Sequence, residues 1–146
     1  MPGCWRERGR ALRNRSRYST GQVSIETTFF IIFFVIMLFG AFELGTALSI
    51  KHSMDVGCYR AARYLSFAPS DTATAEQMIR DEVDNNLLGG GYGSQITVAI
   101  DFPAGTDFQD PIIVTASLDW QGVVPFLNLV PVTLRARHTE VVERYP

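Results

Sequence analysis

The sequence predicts an α+β chain: a long N-terminal transmembrane helix continuing into an extracytoplasmic helix, a second amphipathic helix, and a small antiparallel β-sheet. Three observations predict it. Residues 27–42 form a run of 16 without a charge. Residues 72–88 place Ala75, Ile79, Val83 and Leu87 four apart, the spacing of one helical face. Beyond Ser94, apolar and polar residues alternate in segments parted by turn residues, the pattern of half-buried strands.

The apolar run is interrupted by Glu43 and resumes from Leu44 to Ile50, ending at Lys51. Counted through Glu43 it is 24 residues long, roughly 36 Å of helix and enough to cross a bilayer. It is apolar all round rather than striped, which favours a membrane span over a surface helix. A secretory signal peptide is the alternative; its apolar core would be shorter, and no Ala-x-Ala-like site follows. Before the span, residues 1–21 carry six arginines (Arg6, Arg8, Arg10, Arg13, Arg15, Arg17) against Glu7, a net of +5. The remaining residues hold 7 basic and 14 acidic side chains, a net of −7. Basic residues beside a span stay in the cytoplasm, so the N-terminus lies inside and the rest outside. Nucleic-acid binding is the rival use of the arginines, and no aromatic or helix pattern supports it. The chain therefore divides into a basic cytoplasmic leader (1–21), a transmembrane helix (22–50) and an extracytoplasmic α+β domain (51–146).

The helix is expected to run past the membrane. Residues 49–67 contain no proline, and only Gly57 weakens them. Ala47, Ile50, Met54, Ala61, Leu65 and Ala68 keep one face apolar. Pro69-Ser70-Asp71 ends this helix and caps the next. In residues 72–88, Met78 lies beside the apolar face, with Arg80, Asp81, Asp84 and Asn85 opposite. Gly89-Gly90-Gly91-Tyr92-Gly93 follows a helix and lacks a nearby lysine, so it reads as a C-cap and turn rather than a phosphate cradle. Strands are expected over 95–102, 111–120 and 132–144, with the helix packing against positions such as Val98, Val114 and Leu134. The apolar, proline-bounded link over 121–131 is too short to span a membrane and suits a cover for the sheet, a partner contact or the lipid surface.

Little in the chain points to catalysis. Cys4 and Cys58 flank the span and cannot pair within one chain; Cys58 suits a small buried residue or an intermolecular disulfide. His52 and His138 lie in unlike segments with no metal-ligand spacing. Asp81, Glu82 and Asp84 suggest a cation site or, more plainly, a solvated helical face. No nucleophile motif, nucleotide loop, metal site or cofactor site is expected, and the chain reads as a non-enzyme.

The junction of leader and span is the most specific feature. Gly21-Gln22-Val23-Ser24-Ile25-Glu26 sets a small residue five positions before a lone carboxylate at the head of the apolar run, the layout of a type IV prepilin cleavage site. The plain alternative leaves Glu26 at the membrane surface of an uncleaved signal-anchor. Further on, Gly40-Ala41-Phe42-Glu43-Leu44-Gly45-Thr46-Ala47-Leu48 and Ala61-Ala62-Arg63-Tyr64 accompany it. Together these resemble the TadE-like proteins, minor pilin or pseudopilin components of Tad/Flp (type IVb) pilus systems. The resemblance is best over residues 21–66 and holds only in outline beyond. A type II secretion pseudopilin is a further possibility, against which the long leader and the Glu-Leu-Gly element argue.

The resemblance implies a pilin-like fold, processing by a prepilin peptidase between Gly21 and Gln22, and assembly at the bacterial inner membrane. It implies partners: other pilin subunits through the N-terminal helix, the assembly platform, and the bilayer. The residues fit that chemistry. Cleavage exposes an amine at Gln22 that is mostly charged at neutral pH, and Glu26, one helical turn on, can serve it or a neighbour's amine. A carboxylate there also complements the helix dipole. Glu43 is a second intramembrane carboxylate. It sits in the headgroup region or bonds a partner helix, with Gly40 and Gly45 allowing close approach. An uncleaved single-pass scaffold of a secretion or assembly machine shares the same topology.

Overall fold

Unbroken by proline, one helix, α1, runs from Arg8 to Leu65 in the computed structural model of the chain. The structure describes residues 8–86, 91–122 and 132–143, with side chains from residue 23 onward. The leader, read from sequence only as a charged tail, is helical from Arg8, and the helix passes through Gly21 and Gln22 without a break. The chain divides into two compact units, Met1–Ala41 and Phe42–Pro146.

In the first unit every described side chain from Val23 to Phe39 is exposed. The large apolar ones are 39% to 70% open, from Val35 to Phe29. Their two hydroxyl neighbours bond within the helix: Thr27 donates to the Val23 carbonyl at 2.7 Å and Thr28 to the Ser24 carbonyl at 2.9 Å. Such back-bonding lets polar residues sit in an apolar span with no unmet donor. The apolar character falls on all sides of the helix because Phe, Ile, Val and Leu occupy nearly every position, not one stripe.

In the second unit the same helix becomes one-sided. Thr46, Ile50, Met54, Cys58, Ala61, Ala62 and Leu65 are buried at three- and four-residue intervals, while Leu44, Leu48 and Tyr59 remain open. The helix ends where Phe67 and Ala68 donate to the Tyr64 carbonyl and Pro69 follows. Asp71 then caps α2, Thr72–Asp84, by accepting from the Thr74 amide at 3.2 Å, as the sequence suggests. Helix α2 buries Ala75, Ile79 and Val83. Gly57, expected only to weaken α1, is a contact point: a Cβ there would lie 3.1 Å from the Ile79 Cα, so the missing side chain lets the helices approach.

Three strands complete the unit: β1, Thr97–Asp101; β2, Pro111–Trp120; and β3, Val132–Val141. They form an antiparallel sheet in the order β1-β2-β3, with Val98 opposite Ala116, and Ala116 opposite Ala136. Ile112, Val114, Ala116, Leu118 and Trp120 turn inward along β2 and join the buried residues of α1 and α2, with Val98 and Leu134 packed at the margin. Each fully buried Ile, Leu or Met side chain stabilises the fold by about 1.5–3 kcal/mol before entropy is set against it.

Boundaries differ from expectation in α2, β1 and β3. Helix α2 stops at Asp84, where Asn85 in αR conformation is the C-cap, so the cap is not a glycine; Leu87, Gly89 and Gly90 lie outside the described residues. Gln95 belongs to a short 3-10 turn, Gly93–Gln95, and β1 starts at Thr97. Strand β3 ends at Val141, although Val142 is fully buried just beyond. Residues 123–131 of the apolar link, Cys4 and Arg144 lie outside the described residues.

Candidate functional site

The candidate site begins with backbone alone. Gly21 and Gln22 lie on α1, so the bond between them sits in hydrogen-bonded helical backbone. Glu26 follows on the same helix, exposed, one turn beyond Gln22. Around it Val23, Ile25, Phe29 and Phe30 are all at least 60% open. The helix from Val23 onward is long and apolar enough to cross a membrane, and none of its most apolar window is buried. An unburied helix of this composition calls for lipid or for other helices around it.

Gly40, at the end of the first unit, has nothing within 4 Å of where a Cβ would sit, and the same holds for Gly45 in the second unit. Neither glycine is required by packing inside the chain. Glu43 is half-buried. Gly45 follows Glu43 by two residues, about 200° around the helix, so the two do not face one partner. Three residues beyond Glu43, Thr46 is buried and donates to the Phe42 carbonyl at 3.0 Å, marking where the second unit's own packing begins.

Below this point polar groups tie the second unit together, several of them on residues that sequence spacing left as a solvated face. Arg80 donates to the carbonyls of Gly93 (2.8 Å) and Ile96 (3.0 Å). Asp84 accepts from the amides of Gly93 (2.7 Å) and Gly91 (3.1 Å). The two side chains thus staple the glycine turn to α2. Gly91 has a φ of +93°, the left-handed region that glycine enters freely. Asp81 accepts from Gln77 at 2.6 Å and Glu82 pairs with Arg60, so Asp81, Glu82 and Asp84 serve three different partners. Among the described residues no group of three His, Cys, Asp or Glu side chains could hold a metal. Asn86 clamps the end of α2 to α1: its amide nitrogen donates to the Ser49 carbonyl (2.9 Å) and Ser53 Oγ (2.7 Å), and its oxygen accepts from Ser49 Oγ (2.9 Å).

An open groove of about 500 Å³ between α1 and α2 is lined by Tyr59, Arg60, Arg63, Met78, Asp81, Glu82 and Asn85. Arg63 pairs with Glu143 and lies over the Phe67 ring, 4.9 Å from its centroid. The hydrogen bond that Arg63 donates to Glu143 raises the Arg63 pKa further, which keeps a guanidinium charged as it always is. Tyr59 meets His138 edge to face at 5.1 Å. Tyr64 donates to Asp71 at 2.6 Å. That bond holds the Asp71 carboxyl below its usual range, helped by Thr74, and raises the Tyr64 phenol. Burial pushes the Cys58 thiol up to about 11, with the Asp55 charge adding to it, so this cysteine is a packed, inert residue.

No curated protein and no solved structure matches the chain. The family comparison falls on α1. It covers the leader–span junction, the exposed apolar run, Glu43 and α1 as far as Arg63, and leaves out α2 and the sheet. Residues 21–63 match the family model of the TadE-like proteins, so this segment of the chain is similar to that family.

Proposed function

We propose that the chain is a minor pilin or pseudopilin of a Tad-type (type IVb) pilus, acting in pilus assembly, adhesion or secretion. In this reading it lies in the bacterial inner membrane with its N-terminus in the cytoplasm and the α+β unit in the periplasm. A prepilin peptidase removes residues 1–21, and Glu26 becomes the fifth residue of the processed chain. The observation that carries the reading is the exposed apolar helix with Glu26 at its head, in a segment that matches the TadE-like model. The new Gln22 amine needs a counter-charge at membrane depth. Glu26 supplies it within the chain or to the next subunit. Gly40 and Glu43 give a neighbouring pilin helix a close approach and a hydrogen-bonding group. The partners are other pilin subunits, the assembly platform, the peptidase and the bilayer. The reading assigns the chain no catalytic role, no cofactor and no nucleic acid.

A second reading is favoured by one observation. The Gly21–Gln22 bond lies inside unbroken helix, and helical backbone resists proteolysis until it opens. An uncleaved, membrane-anchored scaffold of the assembly machine would keep that helix whole. Intact mass and the N-terminal residue of the membrane-extracted protein separate the two, compared with and without active prepilin peptidase. A chain starting at Gln22 only with the peptidase supports the processed pilin; a chain retaining its arginines in both sinks it in favour of the scaffold.

A further inference from the structure

Six lysine and arginine side chains are described beyond the leader. Four have carboxylate partners: Lys51 with Asp55, Arg60 with Glu82, Arg63 with Glu143 and Arg80 with Glu76. The other two, Arg135 and Arg137, have no carboxylate partner among the described residues, and they are neighbours. Both are exposed on β3, two residues apart and so on one face, roughly 7 Å from each other. Leu134 and Ala136, at the alternate positions, pack toward the core, which sends the arginines to the outer face of the sheet. There Ser117 stands opposite Arg135 and Thr115 opposite Arg137, with Thr97 and Ala99 next on β1.

The outer face therefore carries two cations at its β3 edge, short polar side chains across its middle, Asp119 bonded to Thr133 at one end, and a group of three acids at the far corner. That corner is Asp101, exposed at the end of β1, with Asp107 and Asp110 in the turn before β2. None of the three has a cationic partner among the described residues. Asp101 is in register with Ile113 and, one strand further, with Thr139, so two strand spacings, about 10 Å, separate it from β3. These three acids cannot neutralise the arginines of their own chain, and Asp119, diagonal to Arg135 on the same face, accepts from Thr133 at 2.8 Å and forms no ion pair with Arg135 among the described residues. Like charges held side by side cost free energy unless an anion meets them, and a guanidinium fork is shaped for a carboxylate.

We propose that the Arg135–Arg137 face of the sheet binds the acidic β1–β2 turn (Asp101, Asp107 and Asp110) of a second copy of this chain. The two patches differ, so the contact is heterologous and repeats from copy to copy rather than closing on a pair. Its charges are exposed, so salt screens it. It needs no removal of the leader and does not depend on the pilus reading.

The test uses the full chain in phosphatidylcholine vesicles, with a photo-crosslinking amino acid in place of Thr139, an outward-facing neighbour of Arg137. The expected product is a dimer whose joined peptide contains residues 101–110 of the other copy. Its yield falls on the order of tenfold in Arg135→Glu/Arg137→Glu, since like charges then face each other. Mixing that variant with an Asp101→Arg/Asp107→Arg copy restores it. Arg135→Gln/Arg137→Gln, which removes charge without reversing it, gives an intermediate yield and guards against misfolding as the cause. No dimer, a dimer joined elsewhere, or a yield that ignores charge reversal overturns the proposal.

Discussion

Asp71 does two jobs with one carboxylate. It caps α2 through Thr74 and accepts the Tyr64 phenol, and both bonds favour the charged form, so its folded pKa lies below the unfolded value. The sign follows: the stabilisation is present above the unfolded carboxylate range and is lost as pH falls through the folded value. Asp71→Asn should lower the melting temperature of the second unit at pH 7, and the gap from the natural chain should close as acid protonates Asp71 itself. A gap that persists unchanged into strong acid would remove the carboxylate from the account. Glu43 is the other residue whose proposed role can be tested by itself. Replacing it by leucine makes the span more apolar, so membrane insertion should hold while co-purification with partner pilins weakens. Unchanged co-purification leaves Glu43 as a headgroup-level residue only.

Among the elements, the glycine turn depends most on a close approach. A Cβ on Gly93 would lie 2.5 Å from Asp84 Oδ2 and 2.6 Å from the Arg80 carbonyl oxygen. Asp84 can swing away, but the carbonyl belongs to α2 and cannot. Gly93→Ala should therefore destabilise the second unit by about 1–3 kcal/mol, the usual scale of overpacking, read as a fall in its thermal midpoint; an unaffected midpoint would mean that the turn is not held against α2. Strand β2 was legible to the residue because five inward apolar positions alternate without exception, and the Asp71 cap because a helix stop precedes it. The long apolar helix was legible from composition. The staples were not. Arg80, Asp84 and Asn86 look like any polar helical face, and what they bond, the carbonyls and amides of a distant turn and the serines of α1, is set by tertiary packing. Gly57 and Gly93 were likewise invisible, since the reason for each is a neighbour distant in sequence, Ile79 for Gly57 and Arg80 for Gly93. The disagreement of Gly45 and Glu43 in direction needed no structure, only 100° per residue.

At the scale of the molecule, the second unit carries its own core. The earliest residue in the buried cluster is Ile50 and the latest Val142, so no member comes from Met1–Ala41. Its ends are tied to each other: the Glu143 amide donates to the Ser66 carbonyl at 2.8 Å, and the Glu143 carboxylate pairs with Arg63. Asn86 closes the remaining side by holding α2 to Ser49 and Ser53. Domains of roughly this length bury enough surface to fold unaided. A chain of residues 42–146 should therefore fold without a bilayer, giving a mixed helix–strand circular dichroism spectrum and one cooperative thermal transition, with Phe42, Leu44 and Leu48 left as a small apolar strip at its helix end. Asn86→Ala in that chain should lower the transition, because a half-buried serine pair loses its partner. A broad, non-cooperative melt of the parent fragment would instead make the apolar helix a required part of the fold, and the separation of anchor from structural unit would fail.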